Sequence, residues 1–190
     1  LMLVEEGNLN LDDPVGNYVP EVTHFGEDFT LRHLLHHTSG LPDYDGNVMD
    51  ALYARSDTPT NEDLVAVLSE MTELPSTPGD YFEYSNPGYD LLAVVIERVS
   101  GETFPQFMQS RIFDPAGMSH TFSLPNDKRR AGPLVAMSYT GESGAPEAYP
   151  HDNLDNLYGS GSIYSTTADM ALYDEALYTG KFVSQATLNE

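Results

Sequence analysis

Cysteine is absent from this chain of 190 residues, positive charges are scarce, and long apolar runs are missing. Without cysteine the chain can form no disulfide, thiolate nucleophile or cysteine-ligated metal site, although the sequence is compatible with an oxidising or a reducing compartment. No run approaches the roughly 18 consecutive apolar residues of a membrane-spanning helix, and no basic segment precedes an apolar one at the N-terminus. We therefore expect a soluble globular chain without a membrane span or targeting segment in this stretch.

The charge of the chain is strongly one-sided. It has 30 acidic and 8 basic residues, which gives a formal net charge of -22. Such a surface repels nucleic acids and anionic membranes, so we expect neither as a partner. The acidic residues are spread along the whole chain, which favours adaptation to high salt, where screening removes the self-repulsion. Attraction of a cationic substrate is the alternative that the composition leaves open.

Length and the first residues bear on domain organisation. A chain of 190 residues with 40% hydrophobic residues can bury one core, which favours one domain over two. The sequence opens LMLVEEG, without an initiator methionine and with apolar residues typical of a helix already in progress. We therefore expect residues 1–190 to form a single domain that is part of a longer protein.

Capping residues in front of apolar stripes predict the helices. The candidate starts are Thr30, Thr60 with Asp63, Asn86 with Pro87, Thr103 with Gln106, and Thr166 with Asp169. The stripe of the third helix consists of Leu92, Val95, Ile96 and Val99. Residues 134–139 can form a short strand, and residues 140–153 are typical of a polar loop. The pattern predicts a mainly α chain with few short strands and no alternating β-α-β units.

Three histidines, His33, His36 and His37, form a candidate metal site because two of them can share one helix face. A zinc site usually has a third ligand, and the HExxH pattern with its glutamate is missing. A polar helix surface and anchoring of the following loop explain the histidines better. Residues 43–47, DYDGN, resemble the start of a calcium loop, but valine and alanine stand where that loop needs glycine and glutamate. We therefore expect no metal and no cofactor.

The stretch YFEYSNPGYDLL, residues 81–92, places Tyr84 just before a helix start. A helix N-terminus collects positive dipole ends and free N–H groups. A phenol can act as a base at neutral pH only if nearby cations favour its anion, so a catalytic Tyr84 needs a lysine partner. Tyrosine and asparagine at this spacing are common by chance, and Tyr84 can equally be an ordinary turn residue.

Four segments stand out together: residues 3–15 (LVEEGNLNLDDPV), 31–42 (LRHLLHHTSGLP), 78–86 (PGDYFEYSN) and 159–170 (GSGSIYSTTADM). In this order they resemble the serine β-lactamase-like hydrolases, a penicillin-recognising group that includes class C β-lactamases, D-alanyl-D-alanine peptidases and related esterases. The resemblance covers nearly the whole chain, and TSGLP and YSN are its most distinctive parts. It implies that the chain is the helical region of an α/β β-lactamase/transpeptidase-like fold.

The resemblance also implies an acyl-serine mechanism on the ester or amide bonds of β-lactams, D-alanyl peptides or carboxylesters. Tyr84 then corresponds to the general base or proton shuttle, and Asn86 to the amide that orients the substrate and the lysine. Asn86 cannot serve this role fully while it also caps its helix. Ser39 belongs to a structural segment of the family, and the Gly159–Ser162 turn is expected near the cleft as backbone.

Two family motifs are missing from the sequence. No serine is followed three positions later by lysine, and the KTG or HxG motif expected after residue 170 is absent, since His24-Phe-Gly26 comes far too early. We therefore expect the isolated chain to be inactive and to self-associate through an apolar face that missing segments leave open. A periplasmic or secreted location is what the resemblance implies for the parent protein. Two alternatives stay open: a penicillin-binding-like domain that binds a peptide or protein without turnover, and a helical domain that keeps only the scaffold.

Overall fold

The computed structural model describes residues 1–123, 136, 138–141, 145–149 and 156–189, and this part of the chain is mainly helical. The α-helices are α1 (Met2–Glu5), α2 (Leu31–Leu35), α3 (Gly46–Arg55), α4 (Asn61–Glu70), α5 (Asn86–Ser100), α6 (Phe104–Met108), α7 (Asp114–Ala116), α8 (Thr167–Tyr178) and α9 (Gln185–Leu188). The 3₁₀ segments are Val15–Asn17 and Pro20–Phe25, and a π-helical turn covers Gln109–Phe113. The strands are β1 (Phe122–Ser123), β2 (Ser138–Thr140), β3 (Glu147–Tyr149) and β4 (Ile163–Tyr164). The prediction of a mainly α chain with few short strands is confirmed.

Side-chain caps fix where several helices begin. Thr60 and Asp63 form a capping box at the start of α4, in which each side chain bonds to the backbone N–H of the other. The same arrangement of Thr103 and Gln106 opens α6. At α8 the hydroxyl of Thr166 accepts the N–H three residues later at 3.1 Å. These three helix starts agree with the predictions from sequence.

The start of α5 differs from its prediction by one residue. Ser85, not Asn86, is the N-cap, because its backbone is extended, at φ -144° and ψ 112°, and its Oγ accepts the N–H of Gly88 at 3.3 Å. Pro87 is then the second helical residue rather than the first. The expected conflict between capping and catalysis does not arise, because the side chain of Asn86 is not the cap.

The short strands form two antiparallel pairs, β1 with β4 and β2 with β3. The prediction of a polar loop over residues 140–153 is wrong at β3, which pairs with β2. Its described side chains, Glu147 and Ala148, are exposed, so no apolar alternation marks the strand, and backbone pairing alone defines it. Of the strand predicted at residues 134–139, the end falls in β2, and most of the rest lies outside the described part of the chain.

The main core joins α2, α4 and α5 with the 3₁₀ segments. Its buried side chains include Val15, Phe29, Leu34, Leu64 and Leu91. A second, smaller cluster forms around Phe113, Met118 and Ala176, where α7 contacts α8. No helix in the described ranges combines the length and the apolar character that crossing a membrane would need.

Helix α5 turns a slightly different face to the core than its stripe predicts. The aliphatic side chains of α5 that are almost completely buried are Leu91, Ala93, Val94 and Val95. The predicted stripe residues Leu92 and Val99 are only partly buried and pack at the edge of the core. Because α2 and α4 both pack on α5, its buried face is wider than one stripe. This packing holds the first turn of α5, which carries the candidate site, on a rigid base.

Candidate active site

Tyr84 and Asn86 meet in the turn that leads into α5. Tyr84 is 52% exposed, so its hydroxyl is open to a ligand from solvent. The hydroxyl donates a hydrogen bond of 3.1 Å to Oδ1 of Asn86. The structure therefore brings the two residues proposed from sequence into direct contact.

Asp43 holds Asn86 from another side. Its Oδ1 accepts the backbone N–H of Asn86 at 3.0 Å and the side-chain Nδ2 of Asn86 at 2.8 Å. A carboxylate can only accept hydrogen bonds, so the amide must turn its NH₂ group toward Asp43. The amide oxygen is thereby left facing the hydroxyl of Tyr84.

His37 lies beneath the ring of Tyr84. Its Nδ1 accepts the backbone N–H of Ser85 at 3.2 Å, so in this geometry Nδ1 carries no proton. Its ring centroid lies 4.5 Å from that of Tyr84 and 4.9 Å from that of Tyr89. The backbone of His37 has a φ of 54°, an uncommon conformation for a residue other than glycine. His37 thus fixes both the backbone and one ring of the turn.

The loop after α2 and the turn before α5 form one unit. Backbone bonds of 2.8 Å join the N–H of Gly79 to the carbonyl of Thr38 and the N–H of Glu83 to the carbonyl of His37. The hydroxyl of Ser85 donates to the carbonyl of Pro42 at 3.1 Å. Segments about forty residues apart in sequence therefore hold Tyr84 in place together.

Ser39 has a structural position, as the family resemblance implies. It is 1% exposed, and its Oγ accepts the N–H of Leu41 at 3.3 Å. The glycine after it, Gly40, has a φ of 76°, and an added Cβ would lie 2.2 Å from the carbonyl oxygen of Ser76. In this TSG segment the backbone therefore passes close to the backbone at Ser76, and the segment has a packing role rather than a reactive one.

The Gly159–Ser162 turn packs directly on the first turns of α5. Gly159 has a φ of 120°, and a Cβ there would lie 2.2 Å from the carbonyl oxygen of Tyr89. The N–H of Ser160 donates to Oδ1 of Asp90 at 2.8 Å. The turn contributes backbone groups to this region, and its place is set by contacts with α5.

Asp90 is a fully buried carboxyl that links three segments. It accepts a hydrogen bond from the hydroxyl of Tyr44 and another from the N–H of Ser160. Burial raises the pKa of Asp90 from 3.8 to about 6, although both hydrogen bonds favour its ionised form. Burial and the nearby carboxylate of Asp90 raise the pKa of the Tyr44 phenol.

The three histidines considered as metal ligands have separate roles. Nδ1 of His33 lies 3.1 Å from Oγ1 of Thr30, which therefore contacts a histidine instead of capping α2. His36 is exposed, and His37 bonds to the turn at Tyr84. In the part of the chain that the structure describes, no group of three or more histidine, aspartate or glutamate side chains could hold a metal ion.

Three residues near the site were not predicted from sequence as functional: Asp43, Tyr44 and Asp90. Asp43 and Tyr44 fall in the stretch that fails as a calcium loop, and Asp90 is an acid on the apolar side of α5. A carboxylate in the apolar stripe of a helix indicates a buried polar contact, because a buried carboxylate needs a hydrogen-bonding partner. The partners themselves lie far away in sequence and leave no local pattern.

Two cavities lie away from Tyr84. One cavity of about 690 Å³ is lined mainly by the loop that follows α1, residues 7–13, and by α9. Its lining includes Asn8, Asp12 and Thr187. The other, of about 260 Å³, is largely apolar and includes Leu3, Phe107 and Phe182. Neither includes Tyr84 or Asn86, so in the described residues the candidate site lies outside both of these cavities.

Comparison with known proteins gives one family over the whole chain. The family described as Beta-lactamase matches residues 1–190. The chain is 30% identical over 190 residues to the D-alanyl-D-alanine-carboxypeptidase/endopeptidase AmpH of Escherichia coli, covering 97% of this chain and 46% of that protein. The chain spans less than half the length of this and other curated relatives that it matches.

Solved structures with the same fold agree with this match. The octameric penicillin-binding protein homologue from Pyrococcus abyssi superposes with a TM-score of 0.79 at 30% identity, over 96% of this chain and 43% of that one. A D-stereospecific amidohydrolase from Streptomyces superposes with a TM-score of 0.75 at 29% identity, over 99% and 59% of the two chains. The β-lactamase/transpeptidase-like fold expected from the four sequence segments is thereby confirmed.

Proposed function

Because this chain belongs to the Beta-lactamase family, we propose that it supplies Tyr84 and Asn86 to the active site of a serine hydrolase. The proposed enzyme cleaves an ester or amide bond through an acyl-serine intermediate. In this reaction a serine oxygen attacks the carbonyl carbon, and its proton passes by way of Tyr84 and a lysine to the leaving group. Water then hydrolyses the acyl-serine ester and regenerates the serine.

One contact supports the proposal most directly: the hydrogen bond between the hydroxyl of Tyr84 and the amide of Asn86. The phenol is exposed, so a substrate can reach it, while His37 and the cap at Ser85 hold its position. Fixed position matters because proton transfer requires hydrogen-bond distances between donor and acceptor. An ordinary turn residue needs no such support from a loop about forty residues away in sequence.

The serine and the lysine of the proposed site come from another segment of the protein. Neither Lys128 nor Lys181 follows a serine at the S-x-x-K spacing. In the described residues the hydroxyl of Tyr84 bonds to Asn86 and to no cationic side chain. We therefore expect these 190 residues alone, as a single partial domain, to show no hydrolysis.

The names of related proteins narrow the substrates to test. The relative from E. coli is named a D-alanyl-D-alanine-carboxypeptidase/endopeptidase, and the neighbour from Streptomyces a D-stereospecific amidohydrolase. Both names denote cleavage of amide bonds. D-Alanyl peptides and D-amino acid amides are therefore the first substrates to try, followed by β-lactams and carboxylesters.

The test is Tyr84→Phe in the full-length protein, with Tyr81→Phe as the matched control. Tyr81 is exposed to the same degree three residues earlier. Loss of the proton-transferring hydroxyl is expected to lower kcat by about 100- to 10,000-fold, whereas the control keeps full activity. Covalent labelling by a fluorescent penicillin reports the acyl-serine separately.

A Tyr84→Phe protein with unchanged turnover would refute the catalytic role of this tyrosine. Binding of a D-alanyl peptide by the wild type, without turnover or covalent labelling, would support the alternative function, a penicillin-binding-like domain that binds but does not hydrolyse.

Self-association of the isolated chain remains a prediction. The cavity that includes Leu3, Phe107 and Phe182 is mostly apolar, and such open apolar surface favours association. The structural neighbour from P. abyssi is itself octameric. Light scattering of the isolated 190 residues tests the prediction, and a monomer that binds no dye specific for apolar surface would contradict it.

A further inference from the structure

We propose that Asp43 is a positioning residue of the active site, which fixes the orientation of the Asn86 amide and thereby makes Tyr84 a hydrogen-bond donor in the resting enzyme. The inference rests on the proposed function and extends it. It explains how the hydroxyl of Tyr84 is held as the donor of a defined hydrogen bond before it acts as a proton shuttle.

The orientation follows from chemistry at two atoms. An amide has an acceptor oxygen and a donor nitrogen of nearly the same shape, so its own packing does not distinguish the two orientations. Oδ1 of Asp43 lies 2.8 Å from Nδ2 of Asn86, and a carboxylate oxygen at that distance requires a donor. The rotated amide would place two acceptor oxygens against each other. Asp43 therefore selects one of the two orientations.

The selected orientation decides what Tyr84 can do. With the amide oxygen 3.1 Å away, the phenol must supply the proton of that hydrogen bond. In the opposite orientation the NH₂ group would donate to the phenol oxygen, which would then be an acceptor. Asp43 thus makes Tyr84 the donor of this hydrogen bond without touching it.

Asp43 is itself held on both sides along the chain. The carbonyl of Pro42 accepts the hydroxyl of Ser85, and the hydroxyl of Tyr44 bonds to the buried Asp90. The carboxylate also bonds to the backbone N–H of Asn86 at 3.0 Å, which fixes its distance from the start of α5. A side chain anchored in this way can impose an orientation rather than adapt to one.

The test is a double-mutant cycle in the full-length protein, with Asp43→Ala, Asn86→Ala and the double variant. If Asp43 acts through Asn86, Asp43→Ala lowers kcat/KM by about tenfold in the wild type and by at most about twofold in the Asn86→Ala background. A chromogenic p-nitrophenyl ester and a D-alanyl-D-alanine peptide are the substrates. Asp50→Asn, an exposed acid on α3, is the control for loss of one negative charge and should leave activity unchanged.

A second variant and a pH profile separate positioning from folding. Asp43→Asn keeps the shape of the side chain but removes the charge that selects the orientation, so we expect an intermediate loss of activity and a kcat/KM profile moved toward lower pH. A loss with an unchanged profile, or an equal tenfold loss in both backgrounds, would overturn the inference. Full activity in both Asp43 variants would do so as well.

Urea unfolding of the same four proteins tests the contact independently of catalysis. The double variant should lose less stability than the sum of the two single variants, because each single variant already removes the bond between the Asp43 carboxylate and Nδ2 of Asn86. Additive shifts would overturn the inference whatever the activity. If the wild type is inactive but the shifts in unfolding midpoint are non-additive, the proposed hydrolase function is refuted. The orienting contact between Asp43 and Asn86 is then still supported.

Discussion

Removal of one hydroxyl, by Tyr44→Phe, should destabilise the fold in a manner that depends on pH. The hydroxyl of Tyr44 donates to Asp90, whose carboxyl is completely buried and otherwise accepts the N–H of Ser160. A hydrogen bond to a charged group contributes about 1.5–3 kcal/mol, and a neutral one about 1 kcal/mol. The cost of the substitution therefore depends on whether Asp90 is ionised.

The two pKa values of Asp90, in the folded and in the unfolded chain, determine whether its ionisation raises or lowers the free energy of unfolding. Its pKa is about 6 in the folded chain, against 3.8 for an ordinary aspartate. Below pH 4 the group is protonated in both states and contributes no pH dependence. Between pH 4 and 6 the folded state binds more protons than the unfolded state, so the free energy of unfolding falls as the pH rises. Above pH 6 this loss is complete and amounts to about 3 kcal/mol, which corresponds to the difference between a pKa of 3.8 and one of about 6.

Tyr44→Phe removes a donor that favours the ionised carboxyl, so the pKa of Asp90 should rise further. We expect a loss of about 2 kcal/mol at pH 8 and about 1 kcal/mol at pH 5, measured as the difference between variant and wild type in urea unfolding. Because the variant and the wild type contain the same other titratable groups, the contributions of these groups cancel when the two unfolding free energies are subtracted. Tyr178→Phe, at a residue that is 75% exposed, is the control and should cost nothing at either pH. Equal losses at pH 5 and pH 8 would refute the assignment of the effect to ionised Asp90.

Three further predictions concern stability, measured by urea or thermal unfolding. Gly159→Ala should cost at least about 3 kcal/mol because its Cβ meets the carbonyl oxygen of Tyr89 at 2.2 Å, whereas Gly161→Ala, in open space, should change little. A similar loss in both variants would contradict this account. Ser85→Ala should cost about 1–2 kcal/mol through loss of the cap and of the bond to Pro42, and an unchanged midpoint would show that neither contributes. Raising KCl from about 0.1 to 1 M should raise the melting temperature, because the net charge of -22 is then screened, and a lower melting temperature in salt would argue against salt adaptation.

The features predicted correctly from sequence are those decided within a few residues. The capping boxes at Thr60 and Thr103 bond to residues three positions away, so the pattern and the structure contain the same information. The end of α5 is equally local, because the helix stops at Gly101, where φ is 74°. Strand β3 escapes prediction because its side chains do not alternate in polarity and because the partner it has among the described residues, β2, is also a short strand.

The start of α5 shows where local rules fail. Ser85 and Asn86 are both good N-cap residues, and a proline at the first helical position favours Asn86. Ser85 is the N-cap in the structure because two residues of the loop after α2 hold it. His37 accepts its backbone N–H, and the carbonyl of Pro42 accepts its hydroxyl. Asp43 was overlooked for the same reason, since its contact with Asn86 spans 43 residues. A single sequence predicts the kinds of side chains at the site, but not which distant partner orients them.

The junction between the loop after α2 and the start of α5 has a consequence for amide hydrogen exchange. N–H groups at the start of a helix have no intrahelical acceptor and ordinarily exchange quickly with solvent deuterium. Here the amides of Ser85 and Asn86 bond to the side chains of His37 and Asp43, which both belong to the loop after α2. Their exchange can be slow only while the loop stays docked. Two backbone protons therefore record, in the absence of any substrate, the fraction of time for which Tyr84 is in position.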